Sequence, residues 1–302
     1  MTDPAFHPVT LEDGDAVRAA CLLAQTPSCQ YNFANLYCLR NLYGTEIALG
    51  EHSALLVRQT RREPGTVSYL PPLNAPWETL LALARSEGRP WSLFGVTAED
   101  RAALEQCAPG AVAFQADRDW AEYLYTSAAM TTLSGGKLGQ RRRDARQCRD
   151  TWGERLQAEP MTPENFDEVF AFQKRWMESR GTDDAQREHL DGETIAVRDA
   201  LDHYEQLQLQ GLVLRLDGAV AAYSYGCAVG GVAFDIITQK ADVGVRHLYR
   251  VIFQDVARMY GPDYRWINME EDLGVPGLRR MKSLYQPDVL LEKWRAGPGE
   301  RL

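Results

Sequence analysis

The stretch WINMEEDLGVPGLRRMKSLYQP, residues 266–287, sets three acids, Glu270, Glu271 and Asp272, at the exit of a strand-like apolar run. Arg279, Arg280 and Lys282 follow within a dozen residues. Carboxylates at a strand end can take a proton from an incoming amine or hydroxyl, or hold an ammonium group. A nearby lysine can offset negative charge that develops on oxygen. Glu270, Asp272 and Lys282 are therefore the candidate catalytic residues, with the choice of base between the acids left open. Capping accounts for Glu271 or Asp272 equally well, because acids favour the start of a helix. It does not account for Arg279 and Arg280, because cations favour the other end.

Two other segments have the composition of anion sites. Between Lys137 and Arg149 six basic residues (137, 141, 142, 143, 146 and 149) face one acid, Asp144, and Gly135-Gly136 precede them. A glycine turn before a helix exposes N–H groups to an anion, and arginine adds bidentate phosphate contacts. The other explanation for such a run is a solvated helix face. The second segment, TQKADVGVRH at 238–247, joins a strand to a helix and offers Lys240, Gly244 and Arg246. Lys240 could equally pair with a neighbouring acid. Aromatics and amides alternate in SCQYNFANLYCLRNLYG, residues 28–44, which reads as core packing or as the wall of a substrate pocket.

The elements around these residues occur twice, in one order. Thr10 with Asp13, and Thr162 with Pro163, each open a helix. After the second start Phe166, Val169, Phe170, Trp176 and Met177 share a helical face, which Gly181 ends. The second half continues with GLVLRLDG and AVAAYSYGCAV, joined at the hairpin signal Asp217-Gly218. There follow a third strand, a helix, YRWINM, a helix from Pro276 and a last strand VLLEKWRA. The first half runs through SALLVRQTR, GTVSYLPPL, a helix, PWSLFGV, a helix and GAVAFQADRDWAEYLY. This is the element order of a GNAT-type acyltransferase lobe. The expected fold is α/β (α+β): two tandem GNAT-like lobes, each a mixed sheet flanked by helices. The expected boundaries are 1–125, a basic connecting segment at 126–160, and 161–302 with the active site.

The whole chain narrows the function. Its 302 residues carry a net charge of -9, which argues against a general nucleic-acid coat and against DNA as a partner. No apolar stretch is long enough to span a membrane, and the N-terminal residues lack the pattern of a signal peptide; a cytoplasmic protein is expected. Six cysteines without CxxC spacing read as thiols, and five scattered histidines give no metal site.

Several segments resemble the DUF2156 family, whose fold matches the C-terminal catalytic region of phosphatidylglycerol lysyltransferases. They are YNFANLYCLR, YLPPL, DRDWAEYLY, LSGGKLGQRRRDARQ, ITQKADVGV and INMEEDLGVPGLRRMKSLYQP. The last is similar to Asn-x-Glu-x-Asp-Leu-Gly-x-x-Gly-Leu-Arg-x-x-Lys-x-x-Tyr, matched by Asn268, Glu270, Asp272, Gly274, Gly277, Leu278, Arg279, Lys282 and Tyr285. The resemblance implies an aminoacyltransferase with aminoacyl-tRNA as co-substrate and no bound cofactor. The expected acceptor is a lipid head group or a small soluble amine or hydroxyl compound, with peripheral membrane contact left open. The expected substrate- and phosphate-binding set is Lys137, Arg141, Arg142, Lys240, Gly244, Arg246, Asn268, Arg279 and Tyr285. Two alternatives stand beside it. One is an N-acyltransferase using acyl-CoA, disfavoured because Gly244 comes one residue late for the usual pyrophosphate loop. The other is a tandem-GNAT module that binds tRNA or an anion without catalysis.

Overall fold

The computed structural model describes residues 5–179 and 184–298, the side chains of 184–191 excepted; Gly181 lies outside the described residues. Local signals set the element ends. Thr10 with Asp13, and Thr162 with Asn165, form reciprocal capping boxes. At the predicted hairpin Leu216 pairs with Ala219, and both Asp217 (φ 53°) and Gly218 (φ 84°) take the left-handed conformation that a two-residue turn requires.

The first half contains β1 (His7–Pro8), α1 (Gly14–Ala24), α2 (Phe33–Cys38), α3 (Arg40–Tyr43), β2 (Thr45–Leu49), β3 (Leu55–Glu63), β4 (Thr66–Tyr69), α4 (Trp77–Ser86), β5 (Trp91–Val96), α5 (Ala98–Cys107), β6 (Val112–Ala116) and β7 (Glu122–Thr126). A helical join, α6 (Ser127–Thr132) and α7 (Gly139–Trp152), leads to β8 (Leu156–Pro160). Then come α8 (Phe166–Glu178), α9 (Asp184–Asp202), β9 (Gln210–Leu216), β10 (Ala219–Val229), β11 (Ala233–Ala241), α10 (Leu248–Tyr260), β12 (Trp266–Glu271), α11 (Pro276–Ser283), β13 (Val289–Leu291) and β14 (Trp294–Pro298).

These strands form two seven-stranded sheets, β1-β2-β3-β4-β5-β14-β6 and β8-β9-β10-β11-β12-β7-β13. Read in this direction the two orders are equivalent, position by position. Each sheet has one parallel pair, β4 with β5 and β11 with β12, and the remaining neighbours are antiparallel. The repeated element order is thus a repeated topology. The sixth strand of each sheet, however, comes from the other half of the chain. The predicted single strand VLLEKWRA is broken at Glu292-Lys293: β13 stays with the second sheet and β14 crosses to the first. Residues 112–126 are likewise broken between β6 and β7.

The core follows the exchange. One apolar cluster joins Val17, Tyr31, Phe33 and Phe94 of the first half to Val169, Phe172, Tyr223 and Tyr225 of the second. At the crossing points sit Glu122 and Lys293, both 0% exposed, with Nζ 2.8 Å from Oε1. Among the described residues no helix is long and apolar enough to cross a membrane.

A buried ion pair is costly to half-remove, because the remaining charge loses its partner in a dry site. Lys293→Ala should therefore destabilise the protein by about 3–5 kcal/mol in urea unfolding. Replacing both members, Glu122→Gln with Lys293→Met, should cost markedly less than the single change.

Candidate functional site

Strands β11 and β12 run side by side only from Ala233–Asp235 against Trp266–Asn268. Beyond that point β12 bulges, with its pairing to β7 shifting between Asn268 and Glu271. Glu270 takes φ 56°, a left-handed backbone rare for a non-glycine residue, and its N–H donates to the buried Asn268 Oδ1 at 2.7 Å. In a regular strand Glu270 and Glu271 would point to opposite faces. The bulge instead lets both meet one first-half segment, residues 28–35. Asn35 Nδ2 donates to Glu270 Oε1 at 2.7 Å, while Gln30 Nε2 and Cys29 Sγ lie 3.4 Å from Glu271 Oε1.

Beneath these half-buried acids lies a sealed layer. Glu122 accepts from Ser28 Oγ (2.5 Å), Cys29 N (2.8 Å) and Asn268 Nδ2 (2.6 Å), besides Lys293. Asp235, fully buried, accepts from Asn32 Nδ2 at 2.8 Å through Oδ2, while Oδ1 has no partner. Lys282, 6% exposed, reaches back from α11 to donate to the Glu271 carbonyl. Both halves of the chain therefore build the cluster.

Its electrostatics divide it in two. Burial would raise the Glu122 carboxyl, but Lys293 and the hydrogen bonds outweigh it and hold the pKa below the usual carboxylate value. Asp235 and Glu270 lie well above that value, through burial first and then their acidic neighbours: Glu122 and Glu271 act on Asp235, and Asp235 and Glu271 on Glu270. Glu271 is raised by burial and by Glu122. Lys282 is lowered by burial, against the pull of Glu270 and Glu271. Raised carboxyls and a lowered amine gathered at one seam are the signature of a site shaped for chemistry or for a charged ligand. Cys29 Sγ and one oxygen each of Glu122 and Glu271 lie within 4.8 Å of one another, a spacing a metal ion could bridge. The Lys293 ammonium already rests on Glu122, so the protein supplies positive charge there itself.

The sequence-predicted residues separate into groups. Glu270, Lys282 and Asn268 enter the cluster. Asp272 does not take a proton-transfer position: its carboxylate is buried and accepts from Arg118 (2.9 Å), Tyr123 Oη (2.6 Å), Gly274 N (3.0 Å) and both Nε and Nη2 of Arg279. Burial opposes ionisation, but these donors win and lower its pKa to about 2, too low for a base at neutral pH. Arg279 is spent on this clamp and on Asp119. A Cβ on Gly274 (φ 72°) would come within 2.8 Å of Asp119 Oδ2, so the clamp needs glycine.

Tyr285 is buried against Tyr125 and Phe253, and Arg250 donates to its hydroxyl at 3.3 Å. On the helical join Lys137 and Arg142 are exposed, Arg142 donating to Leu133 O at 2.7 Å; Arg141 turns inward to Asp144 at 3.4 Å. That face meets the start of α10 where His247 Nε2 lies 3.9 Å from Asp144. Lys240 pairs with Glu193 at 2.5 Å, the Gly244 N–H is taken by Asp242, and Arg246 is exposed. Glu122, Asp235 and Lys293 do not stand out in the sequence, whereas the 28–35 amides belong to the segment that reads as core or pocket wall. For Asp235 the signal there is a lone charge inside the apolar run AFDII.

The Asp272 clamp gives a signed expectation. A depressed carboxyl pKa contributes stability above the unfolded value of 3.8, and that stability is lost as pH falls through about 2. Asp272→Asn should cost about 2 kcal/mol at pH 7, and urea unfolding should find the gap to wild type closing as pH falls toward 2.

Residues 22–297 match the sequence profile of the family described as phosphatidylglycerol lysyltransferase, C-terminal. No curated protein matches the chain. A conserved protein of unknown function from Bacteroides thetaiotaomicron superposes with a TM-score of 0.91 at 29% identity, over 98% of this chain and 99% of that one. L-PGS from Bacillus licheniformis superposes with a TM-score of 0.68 at 14% identity, over 96% and 93%. A tandem GNAT protein from the clavulanic acid biosynthesis pathway gives 0.51 at 13% identity, over 97% of each chain. These last two likenesses are of fold, and they agree with two GNAT-like lobes that each carry a seven-stranded mixed sheet. With the profile running through nearly every strand and helix of both lobes, the chain belongs to the family of phosphatidylglycerol lysyltransferase C-terminal domains.

Proposed function

We propose that this acyltransferase-type protein moves an aminoacyl group from aminoacyl-tRNA to an amine or hydroxyl of a lipid head group or small soluble acceptor. The observation that carries this reading is the surplus of acid at the seam. Among the described residues Glu122, Asp235, Glu270 and Glu271 face two ammonium groups, Lys282 and Lys293. Glu122 is matched by Lys293; Asp235 and Glu270 have their carboxyl pKa values pushed up by burial and by neighbouring acids, with no cation of their own. An aminoacyl ester brings an ammonium group, whereas the acyl group of an ordinary acyl-CoA brings none.

In this reading the half-buried Glu270 holds the donor ammonium, with the buried Asp235 adding negative charge beneath it. Glu271, half-buried and raised toward neutrality, takes the proton of the acceptor as its nitrogen or oxygen attacks the ester carbonyl. Lys282 offsets the charge on the carbonyl oxygen. The carbon–oxygen bond to the ribose then breaks, and the departing ribose oxygen takes up the proton that Glu271 removed from the acceptor. The exposed cations Lys137, Arg142 and Arg246 meet donor phosphates, with Arg141, Lys240 and Tyr285 in supporting contacts. Such phosphate contacts make donor affinity fall as salt rises.

Incubation with labelled charged tRNA and a panel of acceptors should give transfer that Glu271→Gln lowers by at least about 100-fold. Full activity in Lys282→Ala would remove Lys282 from the chemistry. Turnover of acetyl-CoA without response to charged tRNA would install the acyl-CoA reading instead. Stability supplies a second check. A buried acid with a raised pKa makes the fold less stable as pH rises from the unfolded value toward the folded one. Asp235→Asn should therefore be more stable than wild type at neutral pH, with the difference shrinking as pH falls toward 4 in thermal unfolding.

A further inference from the structure

Arg62, on β3 of the first lobe, is placed unlike any other arginine described. Its guanidinium carbon lies 4.0 Å from the ring centre of Phe94 and 3.9 Å from that of Trp120, with Tyr43 at 5.7 Å. Phe94 belongs to β5 and Trp120 to the crossing segment before β7. One nitrogen donates to Gln59 Oε1 at 3.1 Å. No described carboxylate lies within ion-pair distance. Burial lowers its pKa, and Tyr43 and then Glu271 are the leading groups that pull it back. None of its nitrogens is among the sealed polar atoms that lack a partner. The rings thus lie close about the guanidinium, whose unpaired nitrogens are not sealed from solvent, within electrostatic reach of Glu271.

A guanidinium has five N–H donors in a fixed fork that matches carboxylate and phosphate oxygens. Close packing against Phe94 and Trp120 restricts the side chain in advance, so less rotamer freedom is lost when an anion binds. From this geometry we infer that Arg62 is an oxyanion-binding residue, taking a phosphate or carboxylate group of a substrate on the first-lobe side of Glu271. The site lies apart from the cations of the helical join, and it stands whether or not an aminoacyl group is what the protein transfers. Two sources have the required chemistry: the acceptor's own phosphate or carboxylate, and a phosphodiester of the donor's 3′ end.

Trp120 provides a reporter. Inorganic phosphate titrated into the whole protein should give a saturable change in tryptophan fluorescence, absent in Trp120→Phe, in which calorimetry still detects binding. Arg62→Ala should weaken binding by at least about tenfold. Arg62→Lys, which keeps charge but loses the fork, should fall between, with far-UV circular dichroism confirming the fold of each variant. Glycerol phosphate and the trinucleotide CCA separate the two sources, because only the true one should bind more tightly than inorganic phosphate and lose that gain in Arg62→Ala. Phosphate binding unchanged in both Arg62 variants would overturn the inference, as would binding that Arg141→Ala with Arg142→Ala abolishes while Arg62→Ala retains it.

Discussion

The structure depends on a buried contact between two chain crossings. Where β6 leaves the first sheet for β7, Glu122 is the first residue of the new strand; where β13 gives way to β14, Lys293 occupies the crossing. Neither has contact with solvent, and the two charges meet at 2.8 Å. Such a pair is expensive to bury, and apolar residues of the same size are often as stable. What the ions add is specificity of position. A lysine on one crossing is tolerated in this dry seam only when the glutamate of the other is in place. Neither sheet can be completed by its own half of the chain, so the two lobes form one folding unit despite their repeated topology.

The same crossings make the site. Glu122 collects hydrogen bonds from Ser28, Cys29 and Asn268, tying the first-lobe loop to the strand that carries the acids. The loop then supplies Gln30, Asn32 and Asn35 to Glu271, Asp235 and Glu270. Lobe pairing, loop placement and acid placement are thus one hydrogen-bonded assembly. The Asp272 clamp acts next to it, fixing the turn between β12 and α11, and with it the helix from which Lys282 reaches inward.

Much of the architecture is legible in the sequence because its causes are local. Capping at Thr10 and Thr162, the turn at Asp217-Gly218 and the strand–helix alternation each follow from a few adjacent residues. The exchange of sixth strands is not local. VLLEKWRA has the pattern of one strand, and nothing in its alternation says that Lys293 marks a change of sheet. The active segment is readable as a region, through its clustered acids and cations, but not in its roles. Asp272 and Glu270 look alike in sequence; only the donors around one and the bulged, left-handed backbone of the other set them apart. Residues 28–44 are open to two readings, core or pocket, and both apply: Tyr31, Phe33 and Tyr37 pack inward while the amides between them face the acids.

The acid surplus sets what this seam can accept. A protein that needed only cohesion here would match charges one to one, as Glu122 and Lys293 do. Asp235 keeps an oxygen without a partner in a layer where other carboxylate oxygens are satisfied, and Glu270 sits on a backbone conformation that a β-strand avoids. Both cost stability, and the fold carries them at a seam to which both lobes contribute. A cationic group entering the cluster would remove the cost by letting the acids ionise against it. A neutral group would leave it in place, and an anion would raise it. Any anionic part of a ligand must therefore lie outside the acid layer, where Arg62, Arg246 and the cations of the helical join offer positive charge. The charge pattern thus favours a ligand, or a pair of ligands, with an ammonium at the centre and negative groups at the margins.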